Sequence, residues 1–412
     1  MTAQSLAQAR DRDACDPLRA FRERFALPEG VIYLDGNSLG PLPKLTGDRV
    51  AHAVEVEWGQ GLVRSWNDAD WIGAPQRIGG KIARLIGAAP REVIVADSTS
   101  VVLFKLLMAA LRARSDRRVI LTEAGNFPTD LYVAQGVAAS LPGVAVRAVA
   151  SEDVAQAICE DVAVVMLTHV HYKTATRHDI ASITARAHAV GALVLWDLSH
   201  STGAVDIDLH TDDVDLAVGC GYKFLNGGPG APAYVFVAER LQPTLVSPIT
   251  GWMGHAEAFA FSDDFRAADG MARWLSGTPP MLSLLALEAG VDLHLDVDRQ
   301  ALAEKGRDLW DLFVERLEAR CGDCGFTLIT DRDPSRRGSH VALTHPEGYR
   351  IMRALIARGM IGDFRAPDVL RFAITPLYLG FEDVWRAVET LAEVMEAGAW
   401  RGLPPLASGL VT

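Results

Sequence analysis

The sequence predicts an α/β fold: a large domain built on a mostly parallel sheet with helices on both faces, followed by a smaller α/β domain. Between residues 91 and 240, short apolar strands alternate with helices of about 10 to 15 residues. Those strands are apolar throughout rather than at every second position, as strands covered on both faces are. A β-α-β-β-α run then follows Pro279-Pro280. At ~150 residues per domain, 412 residues allow two or three domains. We expect an N-terminal segment over 1–50 that packs with the small domain, a large domain over 51–285 and the small domain over 286–412.

The elements follow in order. Val31-Ile32-Tyr33-Leu34 is a short apolar run before the turn-rich Asp35-Gly36-Asn37-Ser38-Leu39-Gly40-Pro41. Residues 51–58 and 74–86 read as helices. Strands are predicted at 93–96, 118–122, 162–167, 193–196, 216–219 and 233–237, with helices at 101–114, 129–140 and 180–190 between them. One long helical region covers 282–320. In the small domain, strands are predicted at 339–344, 361–365 and 369–374, and helices at 349–358 and 381–396.

Composition narrows the function. Forty Lys and Arg against 52 Asp and Glu leave a net charge of −12, the wrong sign for a phosphate-backbone binder. No run of ~18 apolar residues spans a membrane, and residues 1–24 lack an apolar signal core. Cys15, Cys159, Cys220, Cys321 and Cys324 are odd in number and scattered, unlike a disulfide framework. The expected location is the cytoplasm. Cys321-Gly-Asp-Cys324 lacks a second ligand pair for zinc, and His169-Val-His171 reads as structural, so no metal is expected. No His-Glu-x-x-His or Gly-x-Ser-x-Gly occurs.

In open α/β sheets, ligands bind beyond the carboxyl ends of the strands. Asp97-Ser98-Thr99-Ser100 precedes a helix and reads either as a plain N-cap or as a phosphate cradle. No Walker-type loop is present, which favours a simple phosphate over a nucleotide. Phe127 follows the next strand and could stack on a planar ligand; Asp130 fits a first helical turn. Asp197 ends an apolar strand, where a carboxylate needs a cationic partner or a cap to satisfy. Lys223 closes another, entering a loop that holds Gly221, Gly227, Gly228 and Gly230. Of six lysines it resists a surface reading; Lys173 is its rival. A hydroxyl-rich helix start, a stacking aromatic, a strand-end Asp and a Lys 26 residues later meet the needs of pyridoxal 5'-phosphate.

Longer stretches sharpen this. Tyr-Leu-Asp-Gly-Asn-Ser-Leu-Gly-Pro (33–41), Arg-Ser-Trp-Asn (64–67), Phe-Pro-Thr-Asp (127–130), Asp-Leu-Ser-His-Ser-Thr-Gly (197–203), Gly-Tyr-Lys-Phe-Leu-Asn-Gly-Gly-Pro-Gly (221–230), Gly-Trp-Met-Gly-His (251–255) and Leu-Arg-Phe-Ala-Ile-Thr-Pro-Leu-Tyr (370–378) resemble kynureninases. These are pyridoxal-phosphate enzymes of the aspartate-aminotransferase fold, type I, with a seven-stranded sheet. The resemblance implies that Lys223 bonds the cofactor as an imine, that Asp197 holds the pyridine nitrogen, and that Asp130, His200 and Thr168 lie near the ring. Phe127 would stack on it. Thr99, Ser100 and Tyr222 would hold the phosphate, joined by Trp252 and Thr278 of a neighbouring subunit, so that a homodimer shares its sites. Arg371 would clamp the substrate carboxylate, with Ser38 also at the substrate. The chain departs from the family at His171, Lys173 and Ala175, where bacterial members carry Asn, Arg and Gly, and at Val102, where Asn is usual.

The implied reaction is hydrolysis of L-kynurenine, or 3-hydroxykynurenine, to anthranilate or its hydroxy analogue and L-alanine. Lys223 would move the Cα proton, with Tyr222 as a relay. A cysteine desulfurase or class V aminotransferase is the nearest alternative, and a catalytically silent scaffold dimer a more distant one. A desulfurase would want a mobile Cys in a late loop, and only Cys321 and Cys324 come late.

Overall fold

A computed structural model of the chain describes residues 5–405. It contains two compact units. The larger comprises Thr46–Tyr172 and His178–Leu295. The smaller comprises the residues up to Leu45, the short insert Lys173–Arg177, and the chain from Asp296 onward.

The larger unit holds a seven-stranded sheet in the order Val93–Val95, Ala233–Val237, Leu216–Cys220, Leu193–Asp197, Val162–Thr168, Val119–Glu123, Ala145–Val149. All neighbours are parallel except Ala233–Val237, which is antiparallel to both strands beside it. Successive side chains of a strand point to opposite faces, and here both faces are apolar cores. Val194 and Trp196 pack with Ile78, Ile82 and Leu287 on one side. Leu193 and Leu195 pack with Leu103, Leu106 and Val137 on the other. This is why the strands read as unbroken apolar runs.

Several elements differ from the sequence reading, among them the strand predicted at 361–365, which is two, Met360–Ile361 and Asp363–Arg365, in separate sheets. The strand Ala145–Val149 is an edge strand of the sheet, and its half-exposed residues include Arg147, so it lacks the apolar run that marked the others. The long helical region is two helices, Met281–Leu295 and Arg299–Cys321. Asp298 separates them by capping the second: its Oδ1 accepts the Ala301 amide at 2.8 Å. The first helix lies wholly in the larger unit, which ends at Leu295. Residues 44–61 form an α-helix, Lys44–His52, that continues as a π-helix, Ala53–Gly61.

The smaller unit contains a four-stranded antiparallel sheet, in the order Asp363–Arg365, Val369–Ala373, His340–Thr344, Thr327–Leu328. Ile32–Tyr33 pairs in parallel with Met360–Ile361, which ties the N-terminal segment into this unit. Among the described residues, no helix is long and apolar enough to cross a membrane.

Candidate active site

Two neighbouring parallel strands end together, Thr168 in register with Asp197. Both residues are buried, as is Asp130 in the first turn of the helix Pro128–Ser140. Oδ1 of Asp197 accepts the Ser199 amide at 2.8 Å. The Thr168 hydroxyl lies 2.5 Å from Oδ1 of Asn126 and 3.1 Å from Oδ2 of Asp130, with one proton to give. Burial raises the pKa of both acids, and the Asp197 charge, with a hydrogen bond shared between the two carboxyls, raises Asp130 further. Like charges this close cannot both ionise, so Asp130 keeps the proton. Its Oδ1 has no hydrogen-bond donor among the described residues. Such a pair suits a cationic ring N–H in the way it would not suit an apolar ligand.

The charge of Lys223 favours the ionised form of both acids. Its Nζ stands 5.6 Å from the Phe127 ring centroid and 5.8 Å from the Tyr222 ring. Burial first, then nearby Cys220 and Asp197, raises the Tyr222 phenol, which therefore stays protonated. Phe127 meets Tyr172 edge-on at 5.3 Å, and His200, buried, meets Phe224 edge-on at 6.2 Å. The structure thus brings together Phe127, Asp130, Thr168, Asp197, Tyr222 and Lys223.

Packing fixes part of the loop that carries Lys223. A Cβ on Gly221 would lie 2.6 Å from the Pro232 carbonyl oxygen. From the helix Met281–Leu295, His294 donates through Nε2 to the Phe224 carbonyl at 2.6 Å, and burial lowers its pKa to about 4, leaving it neutral. Residue 294 gave no sequence signal, because its partner lies 70 positions away. The rival Lys173 belongs to the smaller unit, where its Nζ donates to the Ala366 carbonyl at 3.2 Å.

Ser98 caps the helix Thr99–Ala113, accepting the Val101 amide, which leaves Thr99 and Ser100 half-exposed in its first turn. The expectation that the other lysines are surface residues fails at two of them. Lys105 is fully buried, two turns along this helix, and bonds Asp97 Oδ2 at 2.5 Å, the Trp274 carbonyl at 2.7 Å and Ser276 Oγ at 2.8 Å. Lys305 is buried against Asp16 at 2.7 Å. Each has a carboxylate from elsewhere in the chain, so neither is left with an uncompensated charge. Trp252 and Thr278 are exposed; Trp252 meets Phe259 edge-on at 5.7 Å.

Arg371 lies in the smaller unit and is buried with a partner the sequence did not reveal. It donates through Nε to Asp363 Oδ1 at 2.7 Å and through its terminal nitrogen to Asp363 Oδ2 and to Ser38 Oγ, the latter at 3.2 Å. Arg365 reaches the same carboxylate at 2.8 Å and Ser38 at 3.3 Å. Although burial raises Asp363, the hydrogen bonds and charge of Arg371, with the charge of Arg365, hold it down to about 2. Two guanidiniums on one carboxylate leave a net positive charge, which suits an incoming carboxylate.

The departures from the family pattern have distinct surroundings. Ala175 has φ +62°, a left-handed backbone conformation that favours glycine. His171 lies with Nε2 2.9 Å from the Gly125 carbonyl oxygen, beside Tyr172. Val102 is fully buried in the core under the helix Thr99–Ala113.

The chain is similar to known proteins over almost its whole length. Residues 302–391 match the kynureninase C-terminal domain family. Kynureninase of Pseudomonas fluorescens is 50% identical over 394 residues, covering 94% of this chain and 95% of the relative. Kynureninase of Burkholderia mallei strain SAVP1 is 48% identical over 407 residues, covering 97% of each. Among solved structures, the apo cysteine desulfurase of Thermococcus onnurineus NA1 is similar with a TM-score of 0.78 at 17% identity, over 92% of this chain and 98% of that one. A variant of C-DES with glycine covalently linked to its PLP cofactor gives 0.78 at 17% identity, over 90% and 99%. At such identity these two share the fold alone, whereas the sequence matches run almost end to end, and on them the chain belongs to the kynureninase family.

Proposed function

We propose that this protein is a kynureninase that uses pyridoxal 5'-phosphate to add water across the Cβ–Cγ bond of L-kynurenine, giving anthranilate and L-alanine. The observation that carries the reading is the buried Asp130–Asp197 pair beside Phe127 and Lys223: burial raises both acids, and the charge of Lys223 opposes the rise. These residues fit the cofactor. Asp197 would hold the ring N–H, Phe127 would cover the ring face, and Thr99 and Ser100 would donate to the phosphate from a helix start.

Bound pyridoxal phosphate supplies an electron sink for the carbon that bears the substrate nitrogen. The chain's residues do the rest. Asp197 would hold the ring N–H, because a buried carboxylate stabilises an adjacent cation. Lys223 Nζ takes the proton from Cα and returns it. Tyr222, protonated beside Lys223, can pass a proton to the departing side. His200 and Thr168 orient the ring and its acids. Arg371 takes the substrate carboxylate, with Ser38 on the same guanidinium.

We also propose a homodimer in which Trp252 and Thr278 reach the neighbouring site. Exposed apolar side chains support it: Trp252, Phe259, Phe261 and Phe265 are 38%, 62%, 76% and 41% exposed, a concentration that marks an interface on a soluble protein. Five free cysteines suit the cytoplasm. The alternative desulfurase chemistry lacks its nucleophile, since Cys321 is buried at the end of the helix Arg299–Cys321 and Cys324 follows in a turn.

The direct test adds L-kynurenine and 3-hydroxykynurenine separately to the loaded protein and follows anthranilate or 3-hydroxyanthranilate by fluorescence and alanine by chromatography. Equimolar aromatic product and alanine are expected from kynurenine. Sulfur release from cysteine without any anthranilate would overturn the reading.

A further inference from the structure

Lys105 has no part in the chemistry above, yet its surroundings connect the two stretches of chain that the cofactor reading assigns to phosphate. On one side is Asp97, immediately before the cap Ser98 and the helix start Thr99-Ser100. Asp97 has φ +50°, a conformation a non-glycine residue holds only when its surroundings fix it. On the other side are the Trp274 carbonyl and the Ser276 hydroxyl, two residues before Thr278. The same stretch is packed against the loop that bears Trp252: the Met253 amide donates to the Ser276 carbonyl at 3.2 Å, and a Cβ on Gly251 would collide with that carbonyl. An ammonium has three protons, and all three are spent here, none on solvent, since the side chain is fully buried.

We infer that Lys105 is a positioning residue for phosphate binding, fixing the Thr99-Ser100 cradle of its own subunit to the 252–278 segment that would complete the neighbouring subunit's cradle. The inference rests on the pyridoxal-phosphate reading and adds a residue to it. Lys105 is well placed for this and not for contact with the phosphate itself, because its ammonium already has three protein partners. Replacing it removes a charged tie that no other described side chain supplies between Asp97 and Ser276.

The test compares two probes, pyridoxal 5'-phosphate and pyridoxal, which differ by the phosphate alone. Each is titrated into apoenzyme, and its dissociation constant is read from the visible absorbance of the bound form. Wild type should bind the phosphorylated probe far more tightly. In Lys105→Met, affinity for pyridoxal phosphate should fall roughly tenfold or more, the scale of a lost charge-assisted hydrogen bond, while affinity for pyridoxal changes less than about threefold. Ser276→Ala, which keeps the charge pair and removes one bond, should show the same selectivity in smaller measure, and it carries the comparison if Lys105→Met does not fold. Equal weakening of both probes, or no change in either, would overturn the inference. A wild type that binds both probes alike would instead overturn the cofactor reading on which it rests.

Discussion

Each unit of this protein buries a pair of carboxyls, and the two pairs are neutralised differently. In the smaller unit Asp363 lies against Arg371 and Arg365, which hold its pKa near 2, while burial, and then the Asp363 charge, push its companion Asp35 up to about 7. That pair is provided for by arginines of its own unit. In the larger unit burial raises both Asp130 and Asp197, and Lys223 is the cation that opposes the shift. A pair left short of positive charge is a pair that awaits a ligand. The difference separates a cluster that can present an arginine to an anion from one whose charge suits a cationic ring.

The comparison can be broken experimentally, most severely at its single amine. Lys223→Ala should lower turnover of kynurenine by ~10³-fold or more, as removal of a central catalytic group does, and should abolish the visible absorbance of the bound cofactor. Retention of both by this variant would end the assignment. Arg371→Ala should come next. It leaves Asp363 buried with Arg365 alone, and losing one partner of a buried pair costs about 3–5 kcal/mol. Thermal unfolding should move down by several degrees, and KM for kynurenine should rise at least about tenfold; an unchanged KM would show that the substrate carboxylate binds elsewhere.

Smaller effects sharpen the contrast. Asp130 and Asp35 are both acids whose pKa is raised in the fold. Each holds a proton that the unfolded chain releases, so its contribution to stability declines as pH rises from the ordinary carboxyl range; for Asp35 the decline spans about pH 4 to about 7. Asp130→Asn and Asp35→Asn should therefore each raise the melting temperature of apoenzyme more at pH 8 than at pH 5, by a few degrees. On addition of pyridoxal phosphate the gain of Asp130→Asn should shrink, because the ring then supplies the missing cation, while that of Asp35→Asn should persist. Equal responses of the two variants to the cofactor would show that the pairs do not differ in the way described.

Much of this was readable from the chain because strand-end residues announce themselves. Asp197 and Lys223 close apolar runs, and a charge in that position needs a reason that local composition does not provide. Asp363, Arg365, His294 and Lys105 were not readable in the same way. Each acts through a partner brought in by folding: Lys105 bonds Ser276 across 171 positions, and His294 bonds Phe224 across 70. The fold shows the same division. Buried strands were visible as apolar runs, whereas the edge strand Ala145–Val149 and the break at Asp298 depend on exposure and on a cap, which hydrophobic pattern does not record.

The antiparallel course of Ala233–Val237 has a consequence for how this protein tolerates change. It lies next to Leu216–Cys220, so the loop between them is a hairpin connection tethered at both feet to adjoining strands. Only the short stretch between the end of Leu216–Cys220 and Lys223 sets where the amine lies. An insertion or deletion at residues 221–222 would shift the amine along the chain even if every side chain were kept, so length there is under tighter constraint than at the exposed Pro229-Gly230.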